Sequence, residues 1–127
     1  MADFFDIVDI VFATVDGAGT GLPAYKHRAE TGVKVDHIVV NTTGVAVNTY
    51  VNKAPVVNVN LFIRPYPNGM INARQIQMQA GKIREAIKHP PAPPGMYFNA
   101  RVAWEGEIET DDSFTLYNLR VEVITEK

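Results

Sequence analysis

The chain has no cysteine. That excludes disulfides, thiolate zinc sites and cysteine nucleophiles, and it fits a reducing compartment. No apolar run approaches the ~20 residues of a membrane-crossing helix. The opening residues MADFFDIVDIVF carry Asp3, Asp6 and Asp9 and no positive cluster, unlike a secretory signal peptide. The expected location is therefore cytoplasmic. Charge is sparse and balanced: 12 Lys+Arg and 14 Asp+Glu, with a formal net charge of −2. Dedicated nucleic-acid binders are usually basic, so tight nucleic-acid binding is not expected. The three histidines, His27, His37 and His89, stand far apart without HExxH or HxH spacing. Neither a metal nor another cofactor is expected from them.

What is present is a 46% apolar chain of 127 residues, the size of one domain. A chain of this length buries roughly two-thirds of its unfolded surface. The stretch that organises it is PVVNVNLFIR, Pro55–Arg64. Side chains in a strand alternate faces, so Val57, Val59, Leu61 and Ile63 form one apolar face. Val56, Asn58, Asn60 and Phe62 form the other. Asparagine is depleted in strands, so two of them at i and i+2 indicate a polar layer or an interface.

Around this strand, Asp3–Val15 reads as a helix with Asp3 at its N-cap and a stripe of Phe4, Ile7, Val8, Val11 and Val15. Phe5, Ile10 and Phe12 widen its apolar girth. The glycines of DGAGTG follow a helix, whereas a phosphate loop follows a strand; this segment is a helix stop. Leu22–Arg28 reads as a short strand, with Pro23 marking an edge or a strand start, and Asp36–Thr42 as a firmer one. Residues 43–53 read either as a projecting hairpin arm or as a loop carrying irregular strand, with Val45, Val47, Tyr50 and Val51 needing cover from a partner. After the Asn68-Gly69 turn, Asn72 caps a second helix, Ala73–Lys88, whose stripe is Ala73, Ile76, Ala80, Ile83 and Ile87. Gly81 inside that helix suggests close packing against a neighbour. HPPAPPG breaks the helix into a stiff loop.

Two further strands, Tyr97–Ile108 and Phe114–Thr125, form a hairpin. In the first, Phe98, Ala100, Val102 and Trp104 share a face opposite Asn99 and Arg101. In the second, Tyr117, Leu119, Val121 and Val123 oppose Asn118, Arg120 and Glu122. The expected fold is α+β: one domain with a mainly antiparallel sheet of four to five strands and two helices packed on one face.

No catalytic constellation stands out, and the chain is not expected to be an enzyme. Glu105, Glu107, Glu109, Asp111 and Asp112 make an acidic patch that reads as a solvated hairpin, with the three glutamates on one exposed face. Arg74, Lys82, Arg84 and Lys88 read as a solvated helix face. Ser113 and Thr115 have no neighbouring base in the sequence to make either a nucleophile. The polar sheet face is the candidate site: Asn58, Asn60, Asn99, Arg101, Asn118 and Arg120, with Val56, Phe62 and Ile124 as apolar members. It is either an interaction face or the wet side that antiparallel sheets commonly have.

The runs HIVVNTTGV, VVNVNLFIRPYPNGMINARQIQMQAGKIREAI and YNLRVEVI resemble the tail-completion, or tail-terminator, proteins of tailed bacteriophages and prophages. The matching features are the VNVN strand Val57–Asn60, the turn Pro65–Gly69, the helix Ala73–Ile87 and the Asn118–Arg120 core of the closing strand. The likeness covers Asp36–Ile124 loosely; the N-terminal segment and residues 43–53 match less clearly. It implies a small α+β virion protein without catalytic activity. Such a protein forms a homo-oligomeric ring, commonly a hexamer, at the head-proximal end of the tail tube. Its partners are tail-tube and head-connector proteins, and its place is the virion tail or the host cytoplasm. The residues carrying its contacts are then Asn58, Asn60, Phe62, Arg101, Asn118, Arg120, Val45, Val47 and Tyr50. The competing reading is a small-molecule or nucleotide-binding α+β domain, with an enzyme among its possibilities, that uses the same polar face.

Overall fold

Alternation of apolar and polar residues over Val51–Ile63 builds β4, the strand on which the sheet is centred. The computed structural model describes residues 4–42, 46–47, 51–89 and 98–126. Of 4–6, 46–47, 51–56, 98 and 124–126 it describes the backbone only. The chain runs α1 (Phe4–Asp16), β1 (Ala24–Lys26), β2 (His37–Thr42), β3 (Ala46–Val47), β4, α2 (Ala73–Ile87), β5 (Phe98–Thr110) and β6 (Thr115–Glu126). The strand order is β1-β2-β4-β6-β5, with β3 pairing on β4. β1 runs parallel to β2, and every other pairing is antiparallel. Both helices pack on one side, giving an α+β fold with a mixed, mostly antiparallel sheet.

The core lies between that side and the helices. Val57, Val59, Leu61 and Ile63 of β4 meet Leu119, Val121 and Val123 of β6 and Ile38 and Val40 of β2. Ile7, Val8, Val11 and Val15 of α1 cover one half, and Ile76, Ala80, Ile83 and Ile87 of α2 the other. Ile10 is buried too. Asn72 caps α2, its side chain accepting from the Gln75 N–H at 3.2 Å. The glycine segment after α1 turns its carbonyls to α2: Gln79 Nε2 donates to Thr20 O and Lys82 Nζ to Gly19 O. A phosphate cradle would instead present N–H groups.

Several sequence expectations change. β1 is only three residues long, because His27 takes φ 70°, a backbone that a β-strand does not continue. β4 starts at Val51, upstream of Pro55. The register with β6 shifts between Ala54 and Val57, and this bulge accommodates a proline that cannot donate to the ladder. β3 pairs antiparallel with β4, Ala46 with Lys53 and Val47 with Asn52, which agrees with the hairpin-arm reading of residues 43–53. Val45 and Tyr50 lie outside the described residues, as do the Asp3 cap and most of the HPPAPPG loop. Ala73 is exposed, and buried Gln79 joins the α2 stripe. Gly81 is not at a close approach: a Cβ there would meet only Arg84 Nη2, at 3.6 Å.

Two stability outcomes follow. Gly81→Ala should stabilise the protein by about 0.5–1 kcal/mol, because helix propensity rises without a clash. Leu61→Ala should cost about 2–5 kcal/mol by opening a cavity in the sheet centre. Urea midpoints with unchanged m-values check both; a destabilised Gly81→Ala would show that the small side chain is needed for packing.

Candidate functional site

Pairing register decides which side chains share the helix-free face. Asn41 of β2 stands opposite Asn58, and Val39 opposite Asn60. Asn58 stands opposite Arg120 and Asn60 opposite Asn118 on the other side of β4. The carboxamides join into one chain across three strands. Asn58 Nδ2 donates to Asn41 Oδ1 at 3.1 Å. Asn118 Nδ2 donates to Asn60 Oδ1 at 2.8 Å and to Asn58 Oδ1 at 3.3 Å. Arg120 Nε donates to Asn118 Oδ1 at 3.3 Å. Asn118 is buried at 4% exposure, and a buried carboxamide is tolerable only when its polar atoms are paired.

The expected polar layer therefore contains Asn58, Asn60, Asn118 and Arg120, and it gains Asn41. Asn41 was visible in DHIVVNT, but only register shows that it faces Asn58. Arg101 lies on the same face, opposite Glu122, and donates to that carboxylate at 2.9 Å instead of joining the carboxamides. Phe62 belongs to a different cluster. Its ring stacks on His37 with centroids 4.6 Å apart, and Phe114 meets both rings edge-on. His37 is buried, and its Nδ1 lies 2.7 Å from Val35 O. Val47 falls in β3, and its side chain is outside the described set, as are those of Val56 and Ile124.

β5 departs most from simple alternation. Its register with β6 shifts between Val102 and Trp104, and again between Glu107 and Glu109. Each extra residue reverses the side on which the following side chains emerge. Trp104 was expected beside Val102 but stands opposite Arg120, on the polar face. The Arg120 guanidinium carbon sits 4.7 Å from the indole centroid. A Cβ on Gly106 would come within 2.9 Å of the indole, so the missing side chain is what lets the ring lie there. Glu105, Glu107 and Glu109 likewise do not share one face: Glu105 pairs with Leu119 and Glu107 with Tyr117 on the helix side, while Glu109 pairs with Leu116 on the other.

On the helix side, Glu105 is more than a solvated carboxylate. Its Oε1 accepts from Arg84 Nη1 at 2.5 Å and from the Tyr117 hydroxyl at 2.6 Å. Desolvation, then the bond to Glu105, pushes the Tyr117 phenol up to about 12. Asp111 is held below the ordinary carboxylate range by N–H bonds from Phe114 and Ser113; it organises the β5–β6 turn. No group of three or more His, Asp or Glu among the described residues is arranged to hold a metal ion. No described helix is long and apolar enough to cross a membrane.

A cleft of about 1100 Å³ opens at the sheet end, lined in part by Asp36, Arg64, Asn72 and Asp111. A groove of about 450 Å³ runs between α2 and the β5–β6 hairpin. No protein-family model and no curated protein matches the chain.

The carboxamide chain should be energetically coupled. Asn118→Ala should cost about 1–3 kcal/mol by leaving the half-buried carboxamides of Asn58 and Asn60 without their donor. Its effect should be non-additive with Asn58→Ala by at least about 0.5 kcal/mol. Additive effects in a denaturation double-mutant cycle would contradict a shared network. For Tyr117, the folded-state pKa lies above the unfolded one, so its stabilising contribution is complete below about pH 10 and lost as pH rises through about 12. Ultraviolet titration should show a phenolate that forms near pH 12 and moves toward the ordinary value in Glu105→Gln.

Proposed function

We propose that this chain is a structural protein of a tailed bacteriophage or prophage, a tail terminator or head–tail joining component. It assembles with copies of itself as a ring, with a hexamer favoured, at the end of the tail tube, and it has no catalytic role. The motif resemblance gives the class. The observation that carries the reading is the helix-free sheet face. Its polar groups bond along the sheet to one another, making a rigid surface, and the cleft and the groove described above are lined by other residues. Trp104 stands 45% exposed on that surface, and aromatic and arginine side chains are the usual anchors of protein contacts. A ring needs two different patches on each subunit, and the two sides of this sheet differ in chemistry. The ring partners are tail-tube and head-connector proteins. The formal charge of −2 suits a lumen that passes DNA without holding it.

The second reading, a small-molecule or nucleotide-binding domain, finds its support in the open cleft with Asp36 and Arg64, away from the asparagine face. Thermal melting in millimolar nucleotides separates the two: a saturable rise in Tm lost in Arg64→Ala favours the binding domain.

Size-exclusion chromatography with light scattering tests the structural reading. The expected outcome is a defined homo-oligomer whose population rises with concentration; a strict monomer at every concentration contradicts it.

A further inference from the structure

Trp104 is the single tryptophan of the chain, and it is held in place. Gly106 lies beneath the indole and Arg120 stacks against it. A large apolar ring kept in one orientation while partly in water loses little freedom on binding. Arg120 has no carboxylate partner among the described residues and adds a positive charge beside the ring. On the opposite side of the same hairpin lies the groove under α2. Ile71, Ile76 and Ala80 supply apolar walls, and Tyr117 and Glu107 lie toward the hairpin. Arg84 offsets Glu105 there, so Glu107 leaves the groove with an excess negative charge. Its volume of about 450 Å³ falls in the range of sites that enclose small ligands and leaves room for one indole. The groove is thus large enough for the knob, and the two carry opposite charge. They lie on opposite sheet faces of one subunit, so they cannot satisfy each other within it.

We propose that Trp104 of one copy seats in the groove between α2 and the β5–β6 hairpin of a second copy, with Arg120 facing Glu107. The contact is heterologous: each subunit offers a knob to one neighbour and a groove to the other, the arrangement that closes into a ring. This rests on the reading of the chain as a self-assembling structural protein and names the surfaces by which it does so.

Because Trp104 is the only tryptophan, the wild-type protein reports on its own contact. As concentration rises and light scattering shows growing mass, the emission should shift to the blue and acrylamide quenching should fall. Trp104→Ala removes the knob, and Gln77→Trp fills the groove from an exposed position. Each should raise the concentration for half-association by about tenfold or more while keeping the far-ultraviolet circular dichroism of the wild type. Mixed together, the two variants should form a one-to-one heterodimer, since one retains the groove and the other the knob. Growing mass with unchanged quenching of Trp104 overturns this contact and leaves self-assembly standing. A mass that stays at one chain throughout overturns both.

Discussion

The structure depends on the two-sidedness of β4. One face places four fully buried residues, Val57, Val59, Leu61 and Ile63, against the helices. The other places Asn58 and Asn60 within hydrogen-bond reach of Asn41 and Asn118. A slip of one residue would bury the asparagines in the core and expose the valines. The apolar face thus fixes the register, and the carboxamide chain reinforces it, since its bonds across β2, β4 and β6 exist only in that alignment. Both helices lie on the apolar side, so no described helix covers the outer face.

This division makes the outer face stiff. Carboxamides that bond one another across strands lose little further freedom when a partner arrives. His37, Phe62 and Phe114 extend the ordered surface at one end of the sheet, and Trp104 with Arg120 extends it toward β5. β5 is an edge strand, and its bulges and glutamates discourage plain strand-to-strand addition. Contacts through side chains on the sheet faces are therefore better matched to this edge than a continued ladder.

Much of this was legible in the sequence, for local reasons. Period-two alternation in PVVNVNLFIR and YNLRVEV identified the faces of β4 and β6, and Asn72 announced the start of α2. The grouping of Asn58, Asn60, Asn118 and Arg120 followed from alternation once the strands were assumed to be neighbours. What could not be read was register and its interruptions. Within RVAWEGEIE, Gly106 was the hint of the extra residue that turns Trp104 to the polar face, since glycine in a strand often marks a bulge or a close approach. Pro55 looked like a strand start because a bulge that absorbs it depends on β6, distant in sequence. Gly81 looked like a packing glycine, but its surroundings are open. Arg101 shares the face but is captured by Glu122, a choice between acceptors that alternation alone cannot make.

The central claim is that the outer sheet face is a contact surface between subunits. An electron cryomicroscopy structure of the assembled protein tests it most directly. The account predicts closed rings in which Trp104 and Arg120 of each subunit are buried against the next. Rings in which that face looks onto solvent in every subunit would contradict it.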